Sequence, residues 1–167
     1  MTTDASHRSH HYQAALIWEG NQGTGTADYR SYGRQYRVRI AGKPDLLGSA
    51  DPTFRGDAGL HNPEDLLVAA LSACHMLSYL ALCARAGLRV LEYSDSAEGT
   101  MVLRPDGGGS FQEVILRPKV TVATGTDLDR ARSLHARAGE QCFIAGSCNF
   151  PVRHVPDVQV SEDAARP

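Results

Sequence analysis

Residues 35–41 give the cleanest pattern in the chain: Tyr36, Val38 and Ile40 alternate with Arg37 and Arg39. One face is apolar and the other carries arginine, which predicts a half-buried antiparallel strand. Residues 12–18 and 24–32 read as two further strands, with turns supplied by Gly20-Asn21-Gln22-Gly23 and Tyr32-Gly33. Residues 42–61, rich in Gly, Pro and Asp, read as a loop too long for a plain connection, and such loops often carry function.

The pattern then changes period. Asn62 suits an N-cap, Pro63 the first helical position, and Glu64 and Asp65 the positive end of a helix dipole. The helix is predicted to run to about Arg85, with Gly87 ending it. Between residues 66 and 84 lie 19 positions without a charge. That length would fit a membrane span. Ser72, His75 and Ser78 interrupt the run, and the flanks read as β-structure, so a buried central helix is expected instead.

Residues 89–103 and 111–122 read as strands around a hairpin loop, Pro105-Asp106-Gly107-Gly108-Gly109. A second helix is predicted from about Asp127, capped by Thr126, with Leu128, Ala131, Leu134 and Ala138 on its inner face. Cys142 falls at its end, and residues 152–160 alternate as a last strand. The order is β-β-β-α-β-β-α-β, an α+β fold. One domain is expected over residues 11–162, between a disordered polar tail at 1–10 and a short tail at 163–167. A helix apolar on every face needs cover on every face, which a homodimer packing the long helices together would provide.

Composition narrows the function. Apolar residues make up 42% and charged ones 22% of 167, and 17 Lys+Arg against 19 Asp+Glu leave a net charge of -2. No basic excess points to nucleic acid or to an anionic membrane. No signal core opens the sequence, so a cytoplasmic location is expected. The four cysteines, 74, 83, 142 and 148, form neither a C-x-x-C pair nor a zinc-site spacing, and His7, His10 and His11 read as a solvated tail. No metal or organic cofactor is expected.

Each cysteine is either a small buried hydrophobe or a reactive thiol. Cys74 and Cys83, nine apart on one helix, point to nearly opposite sides and cannot pair with each other. Cys74 lies about three turns from the cap, where the dipole adds little, so activation requires a nearby cation. His75 points away from Cys74 and reads as a polar contact at a helix interface. Cys83 and Cys148 read mainly as core residues.

The stretch Asn62-Pro63-Glu64-Asp65-Leu66-Leu67-Val68-Ala69-Ala70-Leu71-Ser72-Ala73-Cys74-His75 resembles the N-P-E-E-L…A-x-x-A-C helix start of the OsmC/Ohr peroxidases. These are the osmotically inducible protein C and organic hydroperoxide resistance proteins. Glu140-Gln141-Cys142-Phe143-Ile144-Ala145-Gly146-Ser147 resembles their second cysteine motif, and the likeness spans about residues 12–160. The resemblance implies an intertwined homodimer with active sites at the subunit interface. By position Cys74 matches the peroxidatic cysteine, Cys142 the resolving cysteine, and Glu64 the glutamate that orients an activating arginine. Arg55 is the nearest candidate for that arginine, though its loop needs a one-residue shift; Arg30 and Arg34 are the alternatives. His75, and Phe143-Ile144, depart from the best-known members and bear on substrate preference.

The expected chemistry is reduction of organic hydroperoxides through a Cys74 sulfenic acid and a Cys74–Cys142 disulfide, recycled by a dithiol that the resemblance suggests is a lipoyl group. Leu71, Met76, Leu77, Tyr79 and Phe143 are expected to line an apolar cleft. Two rival readings stand beside it. One is a binding protein of the same fold with little or no turnover. The other is a cysteine hydrolase or transferase using His61, His135 or His154 as base, whose activity would survive loss of Cys142.

Overall fold

A computed structural model describes residues 9–161. Most of the tail predicted at 1–10, including His7, and the tail predicted at 163–167 lie outside the described residues. The chain divides into two compact units between Asp65 and Leu66.

In the first unit, β1 (Ala15–Trp18), β2 (Tyr36–Arg39) and β3 (Leu46–Gly48) form an antiparallel sheet in that order. The alternation read in β2 has a partner for its arginine face: Arg37 pairs with Glu19 at 2.7 Å and Asp45 at 3.1 Å. The strand predicted at 24–32 is absent. Asn21 Oδ1 accepts from the amides of Gly23 and Gly25, and Asp28 Oδ1 from that of Arg30. These side-chain acceptors take amides that a ladder would need, so the segment folds into turns. The third strand comes instead from the predicted loop at 42–61, which also holds a short 3-10 turn, Pro52–Phe54.

Helix α1 (Pro63–Arg85) starts at the junction and runs into the second unit. Asn62 caps it as read: its Oδ1 accepts from the Asp65 amide at 2.7 Å, and the Asp65 carboxylate accepts from the Asn62 amide at 3.3 Å. At the far end Gly87 has φ 73°, and the Leu88 amide reaches back to the Cys83 carbonyl at 2.9 Å. That pairing is a Schellman stop, which requires the left-handed conformation glycine adopts freely.

The predicted strand at 89–103 is two strands, β4 (Val90–Asp95) and β5 (Glu98–Leu103). The one at 111–122 is likewise β6 (Gly109–Leu116) and β7 (Pro118–Val122), broken at Arg117, whose amide bonds Asp95 Oδ1 at 2.7 Å. The last strand also splits, into β8 (Val152–His154) and β9 (Asp157–Val160). Two three-stranded sheets result, β4-β7-β9 and β5-β6-β8. In each the first pairing is antiparallel and the second, to β9 or β8, is parallel.

Helix α2 (Leu128–Gln141) is capped by Asp127 rather than the predicted Thr126, the carboxylate accepting from the Arg130 amide at 3.0 Å. Its buried positions are Ala131, His135 and Ala138. Ala131 and Ala138 join Tyr79, Leu82 and Cys83 of α1 and Val120, Val122 and Val158 of the sheet in the larger core. A smaller core joins Leu71 to Val114 and Leu116. The opposite side of α1, Ala69, Ala73 and Leu77, is uncovered in the single chain, with Leu77 62% exposed.

Candidate active site

Burial sorts the cysteines. Cys74 is half-buried midway along α1, and Cys142 ends α2 at 2% exposure; all four thiols are free. The second unit places Cys142 close enough to Cys74 for the two thiols to interact. Cys142 sits at the end of α2 because its amide bonds the Gly139 carbonyl at 3.3 Å, while its sulfur accepts from the Ala145 amide at 3.4 Å. Burial and the bond to Cys74 push the Cys142 thiol up to about 11. At neutral pH Cys142 therefore keeps its proton. Cys83 is buried in the larger core beside Tyr79, its thiol raised by desolvation, and Cys148 packs in the smaller core.

The first unit holds the other two residues read from the sequence. Glu64 is half-buried in the first turn of α1, and its charge, after burial, raises the phenol of Tyr36. Tyr36 lies flat on Gly48, where a Cβ would meet the phenol oxygen at 2.4 Å. Arg55 is exposed and follows the 3-10 turn with φ 65°. Arg34 is bound by the carbonyls of Tyr32 and Tyr29 and lies 4.0 Å and 4.5 Å over their rings. Among the described residues no ion pair joins Glu64 to an arginine.

The apolar cleft is drawn differently from expectation. Leu71 and Tyr79 are wholly buried, Leu71 against Val114 and Leu116 and Tyr79 stacked on His135 at 3.8 Å, so neither is open to a substrate in the single chain. Leu77 and Phe143 are exposed and Met76 is half-buried.

One polar cluster was not foreseen as a unit. His75 Nε2 and His135 Nδ1 are 3.0 Å apart. Their rings are only 14° from parallel yet 5.3 Å between centres, so they meet edge to edge through one N–H···N bond. His154 stacks on His75 at 4.4 Å, beside Gly139, where a Cβ would lie 2.4 Å from the imidazole. Burial lowers all three: His75 to about 4, with His154 adding to the effect and Asp95 opposing it, and His135 to about 3. Asp95 is itself fixed by Ser72 Oγ at 2.6 Å and by the Arg117 amide. His75 is thus the helix-interface contact its direction predicted. His135 shares the spacing of Ala131, Ala138 and Cys142, the one sequence signal that it faces inward. No group of His, Cys, Asp and Glu suited to a metal occurs among the described residues.

The family model for OsmC-like protein matches residues 56–155. No curated protein matches the chain. Among solved structures, an OsmC-like protein of unknown function from Vibrio cholerae is 29% identical, covering 89% of this chain and 100% of its own, with TM-score 0.79. Organic hydroperoxide resistance proteins share the fold at lower identity. The one from Elizabethkingia anophelis is 18% identical over 92% of this chain and 97% of its own, with TM-score 0.64. The one from Legionella pneumophila is 19% identical over 93% and 99%, also with TM-score 0.64.

Proposed function

The chain belongs to the OsmC-like protein family, and on that footing we propose that it is a cysteine-based thiol peroxidase that reduces organic hydroperoxides to alcohols. The observation that carries this reading is the pair Cys74–Cys142: two free thiols, one on α1 and one at the end of α2, close enough to interact. The Cys74 thiolate attacks the distal oxygen of ROOH, the O–O bond breaks, and the departing alkoxide takes a proton to leave as ROH. The sulfenic acid formed on Cys74 then condenses with the Cys142 thiol, forming the S–S bond and releasing water. A small dithiol, a lipoyl group being the proposed kind, returns both thiols by exchange and leaves as its own disulfide.

Glu64 and an arginine are proposed to support the thiolate, Arg55 first and Arg30 or Arg34 otherwise. The reading includes a homodimer, because the uncovered Ala69, Ala73 and Leu77 need a partner that the single chain does not supply. It also includes a cytoplasmic setting, where thiols stay reduced.

The test is consumption of cumene hydroperoxide against hydrogen peroxide with a dithiol reductant. Cys74→Ser is expected to lose turnover entirely. Cys142→Ser is expected to keep one round of Cys74 oxidation and lose cycling. A second reading, an OsmC-fold binding protein with little turnover, is favoured by the lack of an ion pair between Glu64 and an arginine among the described residues. Wild-type protein that consumes no hydroperoxide would decide for it.

A further inference from the structure

Two contacts join α1 and α2 in adjacent positions. Cys74 lies near Cys142, and the next residue on α1, His75, bonds His135 at 3.0 Å. On α1 these groups are one residue apart; Cys142 directly follows the last residue of α2, seven positions and about 10 Å beyond His135. Helices that touch in this way cross each other. A single contact would fix their separation and leave α2 free to swing about it. Two contacts so far apart along α2 fix the crossing as well.

The rest of α2 is held along its length. Its first half rests on the sheet, with Ala131 in the larger core and Arg132 bonded to the Val158 carbonyl at 3.3 Å. Toward Cys142 Ala138 is also in the larger core, and the polar fixed points are His135, edge to edge with His75, and Gly139, against which His154 lies. His154 in turn stacks on His75, and Tyr79 stacks on His135. His75 and His135 are 1% and 2% exposed, so water does not compete for their bond.

We propose that the His75–His135 hydrogen bond is a positioning device for the dithiol, holding the Cys142 end of α2 where its sulfur can reach Cys74. The pair touches no substrate; it sets the effective concentration of one thiol at the other. This inference rests on the reading of Cys74 and Cys142 as a redox pair, and it does not require a hydroperoxide as the oxidant.

The bond needs at least one neutral imidazole, and the groups facing it decide how long that lasts as pH falls. These are His154 of β8 and Asp95 of β4, with Tyr79 of α1 against His135. His154 opposes a charge on either ring, whereas Asp95 favours one on His75. At pH 7 both members are neutral and the bond is intact.

The experiment is the thiol–disulfide equilibrium of the full chain in mixtures of oxidised and reduced dithiothreitol at pH 7. Cyclic oxidised dithiothreitol takes two electrons and two protons from Cys74 and Cys142 and becomes the dithiol, so the exchange balances without peroxide. His75→Leu and His135→Leu are each expected to shift the equilibrium toward the reduced protein by about tenfold, the scale of one hydrogen bond. The double variant should add little to either single, since one contact is lost in all three. His135→Gln, whose amide can bond His75, should recover part of the shift. Folding is checked by near-UV circular dichroism.

Equilibria within twofold of wild type, or two single effects that simply add, would overturn the proposal. If the leucine variants do not fold, wild-type protein with 15N-labelled histidine replaces them. Coupling is reciprocal, so closing the disulfide must shift the His75 and His135 resonances, and unmoved resonances overturn the proposal. A wild-type protein that closes the disulfide in dithiothreitol but consumes no hydroperoxide would refute the peroxidase and leave the positioning role standing. One that never closes it would refute the positioning role.

Discussion

The two helices that carry the site thiols bury themselves by opposite means. Helix α2 has a sorted surface: Ala131, His135, Ala138 and Cys142 face inward, while Asp129, Arg130, Arg132, Arg137 and Glu140 face water. One sheet and one neighbouring helix satisfy it, and its cap, Asp127, sets where it starts. Helix α1 is not sorted by chemistry at all. Its buried stripe of Leu71, His75, Tyr79 and Cys83 is scarcely more apolar than the exposed Ala69, Ala73 and Leu77 behind it. An amphipathic helix finds its place within one chain. A helix without a polar face has its second face left to be covered by something else.

The largest effect should come from placing a charge on that second face. Leu77→Glu is expected to weaken the proposed dimer by 100-fold or more, the scale of a central interface residue, whereas Arg137→Leu on the polar face of α2 should leave it unchanged. Sedimentation equilibrium reads both, and a Leu77→Glu protein that stays dimeric would remove the distinction.

Acid tests the join between the helices. His75 has a folded-state pKa near 4, below the roughly 6.5 of an unfolded chain. Between those values the unfolded state binds more protons, so stability falls as pH drops through 6.5 toward 4 and levels off below. His135, near 3, extends the window downward. A loss of a few kcal/mol from pH 7.5 to pH 5 is expected, read as urea midpoints at the two values.

Packing separates the faces of α2 on a smaller scale. Ala138→Leu overfills the larger core and should cost about 1–3 kcal/mol, while Ala136→Leu on the outer face should stay within about 0.5 kcal/mol. The smallest effect concerns the cap: Asp127→Ala should cost about 1 kcal/mol, with Thr126→Ala nearly silent. Equal costs at 126 and 127 would restore the cap first read from the sequence.

The legible parts of the molecule are those whose signals are local. Asn62, Pro63 and Gly87 fixed both ends of α1 because caps and stops depend on a few neighbouring residues. The alternation at Tyr36–Arg39 named a strand for the same reason. At residues 24–32 the misreading arose because the side chains of Asn21 and Asp28 capture amides, which propensity along the segment does not reveal. Splits at Ser96-Ala97, Arg117 and Val155-Pro156 were hidden because alternation runs on across a change of sheet.

The site was legible in part. Cys74 and Cys142 were named from motif positions, and they lie close enough for Cys74 to raise the Cys142 thiol. The three histidines were not seen as one cluster. They stand at 75, 135 and 154 on three different elements, and only tertiary packing joins them. Leu71 and Tyr79 were given to a cleft because a helix apolar all round does not say which side is closed.

The parallel pairings of β6 with β8 and β7 with β9 also constrain how the molecule is made. Every ribosome delivers residues 109–122 well before residues 152–160, so β6 and β7 emerge with one neighbour each and an open edge. Until the later strands arrive, those edges are templates for pairing with another nascent chain. His154 arrives on β8, so the ring against Gly139 is set only once its strand has docked. The last rungs of both sheets and the last piece of the histidine cluster are therefore delivered together during synthesis.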